Sequence, residues 1–135
     1  MKKKITFIVF IFLFPLISCN KLSAPGKDKQ FEGKSYVRLF FNSEEECMAA
    51  QPPDFFINCH QQIDFLKDNE VEIMLSDIIW RGTYKVINKK IIISMEPNFE
   101  VPSGEIIFLV KNNTLLIKSD DKTEWRKMKG NSIWN

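Results

Sequence analysis

Three cysteines and a single histidine are the residues of this chain best suited to chemistry: Cys19, Cys47, Cys59 and His60. A thiol can be acylated, oxidised to a disulfide or bound to a metal. A tetrahedral metal site takes four protein ligands, or three with an open position. Cys47, Cys59 and His60 offer three at most, and no Cys-x-x-Cys pair accompanies them. A Ser-His-acid triad needs a base beside its nucleophile. His60 is the one base available, and there is no Gly-x-Ser-x-Gly elbow. The carboxylate groups Glu44–Glu46 and Asp120–Asp121 are more simply read as a helix cap and a turn than as a general acid and base. With five glycines in all, no phosphate-cradling loop is present. No cofactor or metal is expected, and the chain does not read as an enzyme.

Cys19 stands apart because of what precedes it. Lys2, Lys3 and Lys4 form a basic start, and residues 5–17 are an apolar run broken by Thr6 and Pro15. That run is short for a spanning helix, which needs about 20 apolar residues, and suits the core of a secretory signal, about 7–15 residues. It ends in Leu16-Ile17-Ser18-Cys19. This resembles the lipobox of bacterial lipoproteins. The resemblance covers residues 1–19 and implies cleavage before Cys19, a diacylglycerol thioether on its sulfur and an acyl chain on the new amino terminus. Two or more chains are what firm anchoring requires. Asn20, not Asp, follows the cysteine, which by the family's sorting pattern implies the outer membrane. An ordinary secretory signal with a chance cysteine, or an uncleaved anchor, is the alternative.

Removing residues 1–18 takes away three of the 19 basic side chains and none of the 17 acidic ones. The remaining 16 basic and 17 acidic groups carry a net charge of −1. No basic stripe argues for nucleic acid. The compartment implied by the leader is oxidising, so the even pair Cys47 and Cys59 reads as a disulfide. Two free thiols, or a thiol–metal site with His60, are the other readings.

Residues 20–30 are polar and carry no apolar period, as a tether would. The expected organisation is a signal peptide over 1–18, the lipidated cysteine and tether over 19–30, a β-domain over 31–128 and a frayed tail over 129–135, in which Ile133 and Trp134 are the residues that could dock. Residues 35–41 (SYVRLFF) read as a strand. Ser43 with Glu46 three residues on is a capping box, followed by helix-favouring Met48, Ala49 and Ala50 and stopped by Pro52-Pro53. A helix over 44–51 follows. Beyond residue 62 the pattern is a run of strands. The clearest alternation places Ile78, Trp80, Gly82, Tyr84 and Val86 on one face, with Gly82 marking a bulge, a bend or a close backbone approach. Polar turns fall at 67–69, 88–89, 112–113 and 120–121.

Short turns make antiparallel neighbours. The expected fold is therefore all-β: a small meander of about eight strands closing into a barrel or half-barrel, which removes exposed edges. A two-sheet sandwich is the alternative. The opening FEGKSY (31–36), then GTYKV (82–86), KIII (90–93) and EWRK (124–127), are similar to small lipocalin-like bacterial lipoproteins, which implies a barrel with a ligand site at its mouth. Phe55, Phe56 and Phe99 lie in loops and are candidate contacts for a ligand or partner. The function these features suggest is a membrane-anchored, non-enzymatic binding module for a small apolar molecule or for an envelope or host protein. A structural or assembly role in the envelope is the alternative.

Overall fold

The structure is a computed structural model that describes residues 28–96 and 104–135; Cys19 and Phe99 lie outside the described residues. Eight strands form a closed antiparallel barrel in chain order: β1 (Lys34–Leu39), β2 (His60–Phe65), β3 (Glu70–Met74), β4 (Ile79–Ile87), β5 (Lys90–Met95), β6 (Glu105–Asn112), β7 (Leu115–Lys118) and β8 (Glu124–Lys127). β8 returns to β1 through Tyr36↔Lys127 and Val37↔Arg126, so the barrel is complete and neither a half-barrel nor a sandwich forms. A short helix, α1 (Glu44–Ala49), lies between β1 and β2.

The alternation expected for β4 holds from Trp80 onward: Gly82, Tyr84 and Val86 are buried and Arg81, Thr83, Lys85 and Ile87 are exposed. Ile78 departs from it. β4 begins at Ile79, so Ile78 belongs to the bend beyond the barrel rim and is exposed. β2 begins earlier than its apolar residues indicate, because His60, Gln61 and Gln62 pair with Leu39, Arg38 and Val37 and gain their strand geometry from that partner.

The turns explain the register. Asn88 and Lys89 both have positive φ, the type I′ geometry whose twist suits a two-residue hairpin. Asp68 and Asn69 take left-handed conformations between β2 and β3, which short polar side chains tolerate.

An eight-stranded barrel is just wide enough for side chains to fill, and this one is filled. Ile63, Phe65, Val71, Ile73, Ile91, Ile93, Phe108, Leu116 and Trp125 are buried to 1% exposure or less. One end is plugged by Phe31, whose ring lies 5.4 Å from Phe65 and 6.3 Å from Tyr36. The Tyr36 hydroxyl donates to the Asn113 carbonyl at 3.0 Å, and burial pushes its pKa up to about 12. Towards the other end Trp125 meets Phe108 edge-on at 5.3 Å and donates its indole N–H to Thr123 Oγ1.

Gly82 marks a close backbone approach. A Cβ at this position would run into the Ser94 carbonyl oxygen and lie 3.0 Å from the Met95 Cα, both on β5. The obstacle is backbone and cannot rotate away. Gly82→Ala should therefore lower stability by about 1–3 kcal/mol, measured by urea unfolding. A neutral result would show that β4 and β5 separate at no cost.

Candidate functional site

The meander sends the connections after β1, β3, β5 and β7 to one end of the barrel, here the upper rim. The chain entry at Asp28–Gln30 and the turns at 66–69, 88–89 and 113–114 share the lower rim. Among the described residues the β1–β2 connection, residues 40–59, is the longest segment on the upper rim.

Its base is closed by the Phe40 N–H donating to the Cys59 carbonyl at 2.9 Å. α1 starts at Ser43, whose extended backbone lets its hydroxyl accept from the Glu46 N–H. The capping box is completed differently from the usual pattern. The Glu46 carboxylate accepts from the backbone and side-chain N–H groups of Asn42, one residue earlier, at 2.9 and 3.0 Å. α1 ends at Ala49, two residues short of the expected 51, because the Ala50 N–H already divides between Glu46 and Cys47 carbonyls and Pro52 forbids another turn.

Cys47 and Cys59 form a disulfide with their Cα atoms 5.7 Å apart. Cys47 is fully buried, so the bridge draws α1 onto the start of β2. A second tie was not visible in the sequence. The Gln51 carboxamide accepts from the Ile57 N–H at 2.9 Å and donates to the Ile57 carbonyl at 3.1 Å. The same side-chain N–H₂ also donates to the Cys47 carbonyl. One side chain thus pairs with both backbone groups of Ile57, as a strand neighbour would, and closes a loop over Pro52-Pro53-Asp54-Phe55-Phe56. A glutamine before two prolines carries no pattern that announces this role.

Phe55 and Phe56 stand at the tip of that loop, 64% and 70% exposed. Met48 on α1 and Ile79 at the start of β4, also on the upper rim, are 60% and 61% exposed. Glu44, Glu45, Glu46 and Asp54 are exposed around them, and residues 40–59 contain no Lys or Arg. Of the three phenylalanines expected to make contacts, the structure places Phe55 and Phe56 side by side on one tied loop.

The other candidate groups are engaged locally. His60 is half-buried beside Cys59, and burial lowers its pKa, against the Gln62 hydrogen bond and the Asp64 charge. Asp120 accepts from Lys118 Nζ at 2.6 Å, which holds its carboxyl below the usual range. Asp121 accepts from the backbone and hydroxyl of Thr123 and so shapes the β7–β8 turn. Among the described residues no cluster of three His, Cys, Asp or Glu side chains is placed to hold a metal.

Among the described residues, cavities outside the barrel include a larger and a smaller one. The larger, about 470 Å³, runs between the outer face of β1 and β8 and the C-terminal residues, with Val37, Phe41, Arg126, Ile133 and Trp134 among its walls. The tail thus folds back along the barrel, aided by a Lys129↔Ser132 bridge, and does not fray. The smaller, about 250 Å³, is walled by charged side chains of β3 and β4, including Glu70, Glu72 and Arg81.

The chain matches no protein family, no curated protein and no solved structure with which it was compared. Its functional reading therefore rests on its own residues.

Proposed function

We propose that this protein is a lipoprotein of the bacterial envelope, anchored by lipid on Cys19, whose upper rim binds a protein partner by way of Phe55 and Phe56. The observation that carries this reading is the pair of exposed phenylalanines on a loop fixed at both ends. Free exposure of two adjacent aromatic rings is unfavourable in water. Here the Cys47–Cys59 bridge, the Gln51–Ile57 pairing and two prolines hold the loop in one shape. A loop ordered in advance loses less entropy on binding, and buried aromatic anchors contribute most of the affinity in protein interfaces. The filled lumen favours a protein partner over a small apolar molecule held inside the barrel. The acidic edge of the loop suits a partner with basic residues around an apolar cleft.

The test is cross-linking in intact host cells from a photoreactive group placed beside the loop, followed by purified binding. The double variant Phe55→Ala/Phe56→Ala should bind the captured partner at least about 30-fold more weakly while its urea midpoint stays put. Unchanged affinity would remove the loop from the interface. Retention of an apolar molecule by the purified protein in native mass spectrometry would return the lumen to consideration.

A further inference from the structure

The charges of the barrel are sorted by end. On the lower rim, Lys29, Lys67, Lys89, Lys90, Lys111 and Lys129 are all exposed. Among the described residues none of the six takes part in an ion pair. Among the described residues Glu32, Asp68 and Glu70 are the exposed carboxylates at this end, fewer than the lysines even before the half-buried Lys34 and Lys127 are added. The upper rim has the opposite balance. Glu44, Glu45, Glu46, Asp54, Asp77 and Glu96 are exposed there, joined by Asp120 and Asp121, with Lys122 the exposed lysine among them. The near-neutral total conceals a molecule with a basic end and an acidic end.

The chain enters the fold at the basic end, through Asp28–Gln30. Residues 19–27 precede it and can span at most about 30 Å when extended. That reach is comparable to the length of the barrel, since β4 has nine residues at about 3.3 Å each. Length alone would let either rim face a membrane to which Cys19 is attached. Charge separates the two orientations. An anionic lipid surface attracts lysines held within a Debye length, about 8 Å at physiological salt, and repels carboxylates at the same distance.

We propose that the lower rim docks on anionic phospholipid headgroups through Lys67, Lys89, Lys90 and Lys129, holding the barrel upright with Phe55 and Phe56 turned away from the membrane. This rests on the lipid-anchor part of the function proposed above. The lysines come from two separate turns and from the segment after β8, so they are spread around the rim as a flat surface of phosphates requires.

Amine acylation read residue by residue tests this. The full chain, purified from cells, is reconstituted into vesicles of phosphatidylcholine alone or mixed equally with phosphatidylglycerol. In the mixed vesicles Lys67, Lys89, Lys90 and Lys129 should be labelled at least about threefold more slowly, with Lys122 unchanged and the difference lost at about 0.5 M salt. Lys89→Glu/Lys90→Glu should remove the protection of Lys67 and Lys129. The mass of the N-terminal peptide, read in the same samples, reports the anchor. Acylated peptide with equal labelling in both vesicles overturns the docking and leaves the anchor standing. Unmodified peptide with protection still confined to phosphatidylglycerol vesicles supports docking and refutes the anchor. Unmodified peptide with no protection overturns both.

Discussion

Trp125→Ala should cost the domain about 3–5 kcal/mol, seen as a fall in the urea midpoint with little change in slope. Trp125 is fully buried on β8, in T-shaped contact with Phe108, and is hydrogen-bonded to Thr123. Its neighbours are strand residues whose backbones are locked by pairing on both sides, so they cannot collapse into the space left behind. A domain of this size has only about 5–15 kcal/mol in total. The variant is therefore expected near the edge of folding, while Trp125→Phe should fall well short of that loss. A cost below about 1 kcal/mol for alanine would mean that the interior is not close-packed.

Breaking the disulfide should act more locally and nearly as strongly. The bridge closes a loop with a sequence separation of 12, for which restriction of the unfolded chain alone is worth about 3 kcal/mol. Cys47→Ser is expected to lower stability by that amount. It should also speed amide exchange over residues 44–51, because a six-residue helix does not persist without tertiary support. The barrel should remain, since none of its eight lateral pairings depends on α1. Equal midpoints for oxidised and reduced wild-type protein would show that the bridge contributes nothing. Wholesale loss of the β-sheet signal would show that the connection organises the barrel as well as the rim.

The architecture was legible because its signals were local. Alternation in β4, the polar turns at 67–69 and 88–89, and the Ser43 cap each reflect forces acting within a few residues. Errors occurred where a partner strand decides. His60, Gln61 and Gln62 carry no β pattern and extend only because β1 pairs with them. Ile78 fits the inward phase of β4 yet lies past the rim, where it is only partly covered. Gly82 could be flagged, but a bulge, a bend and a backbone approach look alike until Ser94 is placed opposite. Of the candidate site, the two cysteines and Phe55-Phe56 were readable from residue type. The Gln51 clamp was not, because an amide that substitutes for a strand has no periodicity. Nor was the sorting of charge, since Lys67, Lys89 and Lys129 share one end of the barrel only once the meander has formed.

The narrow seam between β1 and β8 also sets an order of events. Every other pairing joins strands adjacent in the chain, whereas this one joins Tyr36 to Lys127. Hairpins such as β4–β5 can form as soon as their own residues are available, within microseconds. The seam must instead bring together segments about 90 residues apart, at an entropic cost of about 4 kcal/mol if the intervening chain is still loose, and far less once β2–β7 have curled into place. Without β8 the same pairings would leave an open seven-stranded sheet with two unpaired edges, each a template for another molecule. Pairing β8 with β1 thus does more than add a strand: it removes the last two open edges of the sheet at once.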